Sequence, residues 1–228
     1  MPLTLKPRFV GKVYVIQCAG SIVLGEEVKA LEALMEAQTP EFARIVLDMG
    51  ELKRLDSIGM GLLVRWADRL GRRGGGVRLA AAPAFATRLL QMTKLSTLLP
   101  DYPTDEAAIV SFLEQVPAAA AEGKRGPRVL VMDSSADLCI FVRSVLSRYG
   151  FDVRSTCSFP DAKVLLRVDG VDYILLGPST SQLSAEMMGS SLQSLAPEAG
   201  VLLLDAEFEL EDAEEATGKL LQLFGVAQ

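Results

Sequence analysis

Histidine is absent from the 228 residues. That excludes Ser-His-Asp and Cys-His catalysis, HExxH zinc sites and a phosphohistidine carrier within this chain. Cysteine is scarce: Cys18, Cys139 and Cys157 stand far apart and form no CxxC pair. An odd, sparse set reads as buried thiols of a reducing compartment, not as a disulfide framework. No uninterrupted apolar run approaches the ~20 residues a spanning helix needs. The first residues, Met1 to Arg8, lack the apolar centre of a signal peptide. A basic excess is missing too. Residues 1–116 carry 14 Lys/Arg against 13 Asp/Glu, a net +1, and residues 117–228 carry 9 against 16, a net −7. Neither half offers the positive field that nucleic-acid backbones demand. The expectation is a soluble cytoplasmic protein with no membrane insertion and no nucleic-acid partner.

Half of the chain is hydrophobic, enough to bury real cores. The clearest break is at 117–127, Pro-Ala-Ala-Ala-Ala-Glu-Gly-Lys-Arg-Gly-Pro, which has linker composition and coincides with the charge shift. We therefore expect a domain at 1–116, a linker at 117–127 and a domain at 128–228. In the first, strands are expected at Lys12–Gly20, Arg44–Met49 and Val77–Ala80. Helices are expected at Glu26–Ala37, Ile58–Leu70, Ala84–Met92 and Asp105–Leu113, from apolar residues recurring on one helical face. Strands separated by crossover helices imply a partly parallel, helix-covered sheet. In the second domain, strands are expected at Arg128–Met132, Phe151–Thr156, Asp172–Leu176 and Val201–Leu204. Helices are expected at Asp137–Tyr149, between the third and fourth strands, and from about Leu210 to Phe224. That is a doubly wound α/β pattern.

The informative segment is Ile45-Val46-Leu47-Asp48 followed by Asp56-Ser57-Ile58-Gly59-Met60-Gly61. A buried strand leads through a loop to Asp-Ser, and a helix begins there. Asp56 or Ser57 can cap that helix, and an ordinary cap would account for both. Gly59 and Gly61 occupy first turns where a better helix former would be more stable by up to ~1 kcal/mol each. Glycine there suggests that something approaches the backbone closely. A helix N-terminus tolerates an anion well. A phosphate on Ser57 would add about −1.5 to −2 charges at that corner. The domain would accept the charge, but a docked partner would have to bury it unpaired.

Residues 9–114 resemble a STAS domain, the family of the bacterial anti-sigma factor antagonists. The resemblance is carried by Val13–Ile16 and its glycine turn, by the strand Ile45–Asp48, by Asp56-Ser57-Ile58-Gly59-Met60-Gly61, by Gly74-Gly75-Gly76-Val77-Arg78-Leu79, and by Leu89–Leu95. It implies that Ser57 is phosphorylated by a partner serine kinase of the ATP-binding type that is also an anti-sigma factor. It also implies that residues 56–61 bind that partner. Two positions depart from the family pattern: Ile58 replaces a second hydroxyl residue, and Lys94 replaces a glycine.

Residues 128–226 resemble a response-regulator receiver domain. The match rests on Val129–Asp133, Asp137–Leu146 and Val171–Leu176. Phosphotransfer there needs an acidic Mg²⁺ cluster, an aspartate acceptor, a Ser/Thr and a Lys. Asp133 survives, its acidic neighbour is Ser134, the acceptor position is Gly177, and the next strand ends in Asp205. Too little chain follows Asp205 for a further strand–helix unit. We read a degenerate receiver without aspartyl phosphorylation, the rival being another small α/β domain. The expectation is no metal site there; the one exception would be Asp205, were it to lie close to Asp133, since two carboxylates together hold a weak metal ion. The Gly71–Gly76 run lacks the GxxxxGK[ST] order and reads as a helix end. The acidic stretch Glu207–Glu215 reads as a solvated helix start, not a metal cage.

The sequence thus points to a non-enzymatic switch: an anti-sigma factor antagonist that sequesters its kinase while Ser57 is unmodified, with no cofactor and no metal. The alternatives are a self-associating (homodimeric) scaffold of a signalling assembly and a soluble subunit of a lipid ABC transporter.

Overall fold

A computed structural model of the chain describes residues 2–40, 42–114, 126–168, 170–179, 182–205, 208 and 213–225. The chain divides into two compact units, Met1–Gln115 and Val116–Gln228. Residues 117–125 of the expected linker lie outside the described residues.

The first unit contains β1 (Thr4–Val10), β2 (Val13–Ile22), α1 (Glu26–Gln38), β3 (Arg44–Leu55), α2 (Ser57–Gly71), β4 (Gly76–Ala80), α3 (Ala84–Met92), a 3-10 turn at Leu95–Thr97, β5 (Asp101–Tyr102) and α4 (Asp105–Glu114). Its strands run in the order β5-β4-β3-β2-β1. β1 and β2 form an antiparallel hairpin, and the other neighbours are parallel. The mixed sheet matches the expected class. The sequence reading missed β1. Its Lys6, Pro7 and Arg8 break the apolar pattern, and only pairing with β2 makes that segment a strand.

The core follows from the spacing. Val28, Leu31 and Met35 of α1, Leu62, Leu63, Trp66 and Leu70 of α2, and Ile16, Leu47 and Leu79 of the sheet are all buried. Burying each such side chain contributes roughly 1.5–3 kcal/mol before conformational entropy is subtracted. The glycine run closes α2, with Gly75 N–H donating to Leu70 O at 3.0 Å, as a helix end requires. Lys94 is left-handed, with φ 57°, which explains why glycine suits that position and why lysine costs about 1 kcal/mol there.

β3 is the longest departure from the sequence reading. Its pairing with β4 stops at Asp48–Ala80, yet it continues beside β2 to Leu55, opposite Ile22. Two irregularities in that ladder, at Gln17–Ala19 and Gly20–Ser21, accommodate the extension. Residues 49–55 therefore extend past the end of β4, and they carry the next helix start with them.

The second unit contains β6 (Arg128–Met132), α5 (Ala136–Arg148), β7 (Asp152–Thr156), α6 (Phe159–Val168), β8 (Tyr173–Leu176), α7 (Gln182–Gln193), β9 (Gly200–Leu203) and α8 (Ala213–Leu223). The strands are all parallel, in the order β7-β6-β8-β9. Numbered within the unit, that is 2-1-3-4, the flavodoxin-like order without a fifth strand among the described residues. Right-handed crossovers place α5 on one face and α6 and α7 on the other. Phe151 and Tyr173 pack edge-on against Phe224, just past α8, with ring centroids 5.2 and 5.4 Å apart.

Candidate functional site

The corner expected to carry chemistry is the β3–α2 junction. Asp56 has extended backbone dihedrals, φ −100° and ψ 179°, and caps α2. One carboxylate oxygen, Oδ1, accepts from Gly59 N–H at 2.8 Å. The other, Oδ2, accepts from Leu24 N–H at 2.8 Å. Asp56 N–H donates in turn to Ile22 O at 3.2 Å. One aspartate thus ties the loop after β2 to the first turn of α2, where an ordinary cap would serve the helix alone. The Gly59 and Leu24 N–H groups, followed by the Ile58 N–H and the charge of Arg54, hold its carboxyl below the usual carboxylate range. The depressed folded value means that this contribution to stability is complete above the ordinary carboxylate range. It is lost as pH falls through the folded value.

Ser57 is the first helical residue and is exposed. Its neighbours along the chain do not all face outward. Ile58 is 44% exposed, whereas Gly59 is buried and Met60 is only 5% exposed. Of the expected partner-binding residues 56–61, Ser57 and Ile58 are the exposed ones, and Gly59 and Met60 are turned into the fold. The object close to Gly59 is the protein itself: a Cβ there would stand 2.6 Å from Ile22 O and 2.7 Å from Ile22 Cγ2. A Cβ at Gly61 would meet nothing within 4 Å, so no close approach accounts for that glycine. The residue that sequence reasoning missed is Leu24. It is 72% exposed, and its backbone is clamped to Asp56. The available signal was a leucine just before Gly25 that fits neither the strand nor the helix beside it.

Asp56→Ala removes an acceptor from two backbone donors at once. Caps of this kind are worth about 0.5–2 kcal/mol, and we expect the upper half of that range. Asp56→Asn should lose less, because it keeps one acceptor oxygen. Urea denaturation at neutral pH checks both, and Asp56→Ala should also flatten the acid limb of the stability profile.

The site expected from the receiver resemblance is a different arrangement. Asp133 follows β6 and is fully buried. Its Oδ1 accepts from Ser135 N–H at 2.6 Å, and its Oδ2 accepts from Ser179 N–H at 3.0 Å. Gly177, at the end of β8, faces this carboxylate: a Cβ there would lie 2.2 Å from Asp133 Oδ2 and 2.5 Å from its Cβ. The structure thus brings Asp133 and Gly177 together and fills the acceptor position with the neighbouring side chain. Ser134 is exposed. Asp205 is carried by a different strand end. Asp205 lies beyond the end of β9, two strand spacings or about 10 Å from β6. It is exposed and lines a separate groove of about 620 Å³ with Leu203, Phe208, Lys219 and Leu223. Among the described residues no group of three or more His, Cys, Asp or Glu is placed to hold a metal ion. Among them, too, no helix is long and apolar enough to cross a membrane.

Residues 7–100 match the family model described as "Mlab, STAS domain". No curated protein matches the chain significantly. Among solved structures, an anti-sigma factor antagonist from Mycobacterium paratuberculosis is 22% identical, with 48% of this chain and 93% of that one covered and a TM-score of 0.44. The unphosphorylated form of the anti-sigma factor antagonist SpoIIAA, a Bacillus protein, is 21% identical over 50% of this chain and 99% of its own, with a TM-score of 0.44. A response regulator from Thermotoga maritima is 22% identical over 41% of this chain and 77% of its own, with a TM-score of 0.33. The corner organised by Asp56 therefore lies within the segment, residues 7–100, that matches the STAS-domain model.

Proposed function

We propose that the protein is a non-enzymatic, phosphorylation-switched regulator, an anti-sigma factor antagonist. Its unmodified STAS domain binds a serine kinase that doubles as an anti-sigma factor, and phosphorylation of Ser57 releases it. The observation that carries this reading is Ser57 itself. It is exposed at the first position of α2, on backbone that Asp56 fixes from both sides. A phosphate there meets a helix N-terminus and the nearby Arg54, so the domain accepts it. A partner seated over Leu24, Ser57 and Ile58 would bury a dianion against apolar side chains, which is strongly unfavourable. The second unit serves in this reading as a protein-binding module. Asp133 is already committed to backbone donors there, so no acyl phosphate forms.

The test is phosphorylation by a cognate kinase with ATP, followed by mass mapping. Ser57 is expected as the single major site, and undiminished labelling of a Ser57→Ala protein would sink the assignment. Ser57→Asp and Ser57→Glu should weaken kinase binding while leaving the melting temperature nearly unchanged, since a carboxylate at a helix start is locally favourable by ~0.3–1 kcal/mol. Titration calorimetry gives the affinities. Equal affinities for wild type and both variants would reduce Ser57 to a plain helix-start residue. A Ser57→Ala bait that captures an ABC permease from detergent-solubilised membranes, and no kinase, would replace this reading with the transporter-subunit one.

A further inference from the structure

The three cysteines are distant in sequence, but the fold brings two of them into contact. The parallel register pairs Met132 with Thr156, so the chain leaves β6 at Asp133 beside the point where it leaves β7 at Cys157. α5 then folds back over the strand ends and lowers Cys139, in its first turn, onto the same spot. Cys139 is fully buried, with Sγ 3.6 Å from Asp133 O and 3.6 Å from Thr156 O. Its thiol also lies against that of Cys157, which is partly exposed.

The two sulfurs are unequal. The hydrogen bond from Cys139 draws the Cys157 thiol below its ordinary value, against the opposing effects of burial and of the Asp133 and Asp161 carboxylates. The same contact, and then burial, pushes Cys139 upward. A partly exposed thiol packed against a fully buried one is the arrangement of an attacking and a resolving cysteine. Cys18 supplies the contrast: it is fully buried, without a neighbouring thiol among the described residues, and its pKa is pushed up to about 12 by burial and then by Asp48.

We propose that Cys157 and Cys139 form a hydroperoxide-reactive pair that closes a reversible disulfide between α5 and the loop after β7. The Cys157 thiolate attacks one oxygen of the hydroperoxide. An S–O bond forms, the O–O bond breaks, and the other oxygen leaves as water or alcohol once protonated. Cys139 sulfur then attacks the resulting sulfenic acid. The S–S bond forms, the S–O bond breaks, and the hydroxyl leaves as water with the Cys139 proton. Two thiols supply the two electrons that reduce the peroxide. A dithiol reverses the reaction by exchange. In the oxidised form the Cys139 sulfur no longer donates to Asp133 O and Thr156 O, and the first turn of α5 is stapled beside the buried Asp133 carboxylate.

The test treats the native full-length protein with hydrogen peroxide, blocks remaining thiols with N-ethylmaleimide, and maps peptides by mass. The expected product is one crosslink between the Cys139 and Cys157 peptides, reversed by dithiothreitol, with Cys18 blocked only after unfolding. In Cys139→Ser the reaction should stop at a dimedone-trappable sulfenic acid on Cys157, formed at least ten-fold more slowly than the wild-type disulfide. Cys157→Ser should leave Cys139 unreacted. Wild-type protein that keeps both thiols, or that passes to sulfinic acid on Cys157 without a crosslink, would overturn the proposal whether or not the variants fold.

Discussion

Aspartate placed at position 177 will not restore a phosphoacceptor; it will destabilise the second unit by about 3 kcal/mol, the upper end of what overpacking a core costs. The space that its side chain needs is occupied, because even a methyl there would stand 2.2 Å from Asp133 Oδ2. That carboxylate cannot swing away without abandoning the Ser135 and Ser179 N–H groups, which would then lose their acceptor. Gly177→Ala tests the steric part alone, and Gly177→Asp adds a second carboxylate to a buried site, where like charges disfavour ionisation. At several degrees per kcal/mol for a domain of this size, calorimetry of the full chain should show one transition falling by on the order of 10 °C. Combining Gly177→Asp with Asp133→Ala should recover part of the loss by vacating the space. Acetyl phosphate or beryllofluoride with Mg²⁺ should change neither the mass nor the melting temperature of the wild type. A Gly177→Asp protein as stable as wild type, or one that takes up a phosphoryl group, would refute the closed-site account.

Alanine at Gly59 and alanine at Gly61 should act with opposite signs, although they lie two residues apart on one helix. Both gain up to about 1 kcal/mol of helix propensity. At Gly59 the new methyl would stand 2.6 Å from the Ile22 carbonyl oxygen and 3.0 Å from Leu55 Cδ1. Backbone at the end of a paired strand cannot yield cheaply, so the net change should be a loss of about 2 kcal/mol, within the range of core overpacking. At Gly61 the methyl enters open space, and the propensity gain of about 0.5–1 kcal/mol should survive. Because Asp56 and Leu24 share this junction, Gly59→Ala should also slow labelling of Ser57, whereas Gly61→Ala should not unless the kinase itself covers that face. Urea midpoints and initial phosphorylation rates measure the pair. Two equal stability changes would show that the closeness of Ile22 to α2 does not govern this corner.

Much of the architecture was legible in the residues. α1, α2, α3 and α4 announce themselves through apolar spacing, and their boundaries fall within a residue of expectation because caps and glycines mark them. The Asp56-Ser57 start of α2 was legible for the same reason. The extension of β3 beyond Met49 was not. Glu51, Lys53 and Arg54 read as loop, and they become strand only because β2 offers a ladder on one side. The double role of Asp56 was equally hidden, since no local pattern says that its second oxygen will find Leu24.

What the sequence determined by itself was chemical inventory and periodicity: no histidine chemistry, no carboxylate at position 177, a serine at a helix start, and alternating strands and helices. These are properties of residue types and of spacing along one chain, and they need no partner to be read. Tertiary structure alone decided three things. It turned two faces of the Asp56–Gly61 segment apart, so that Ser57 and Ile58 look outward while Met60 packs in the core. It set Asp133 into the space beside Gly177 and sent Asp205 elsewhere. It brought Cys139 onto Cys157. Each of these depends on which strand ends lie side by side, and that follows from the strand order β7-β6-β8-β9 and the β2–β3 ladder, long-range pairings that leave no mark on the local sequence.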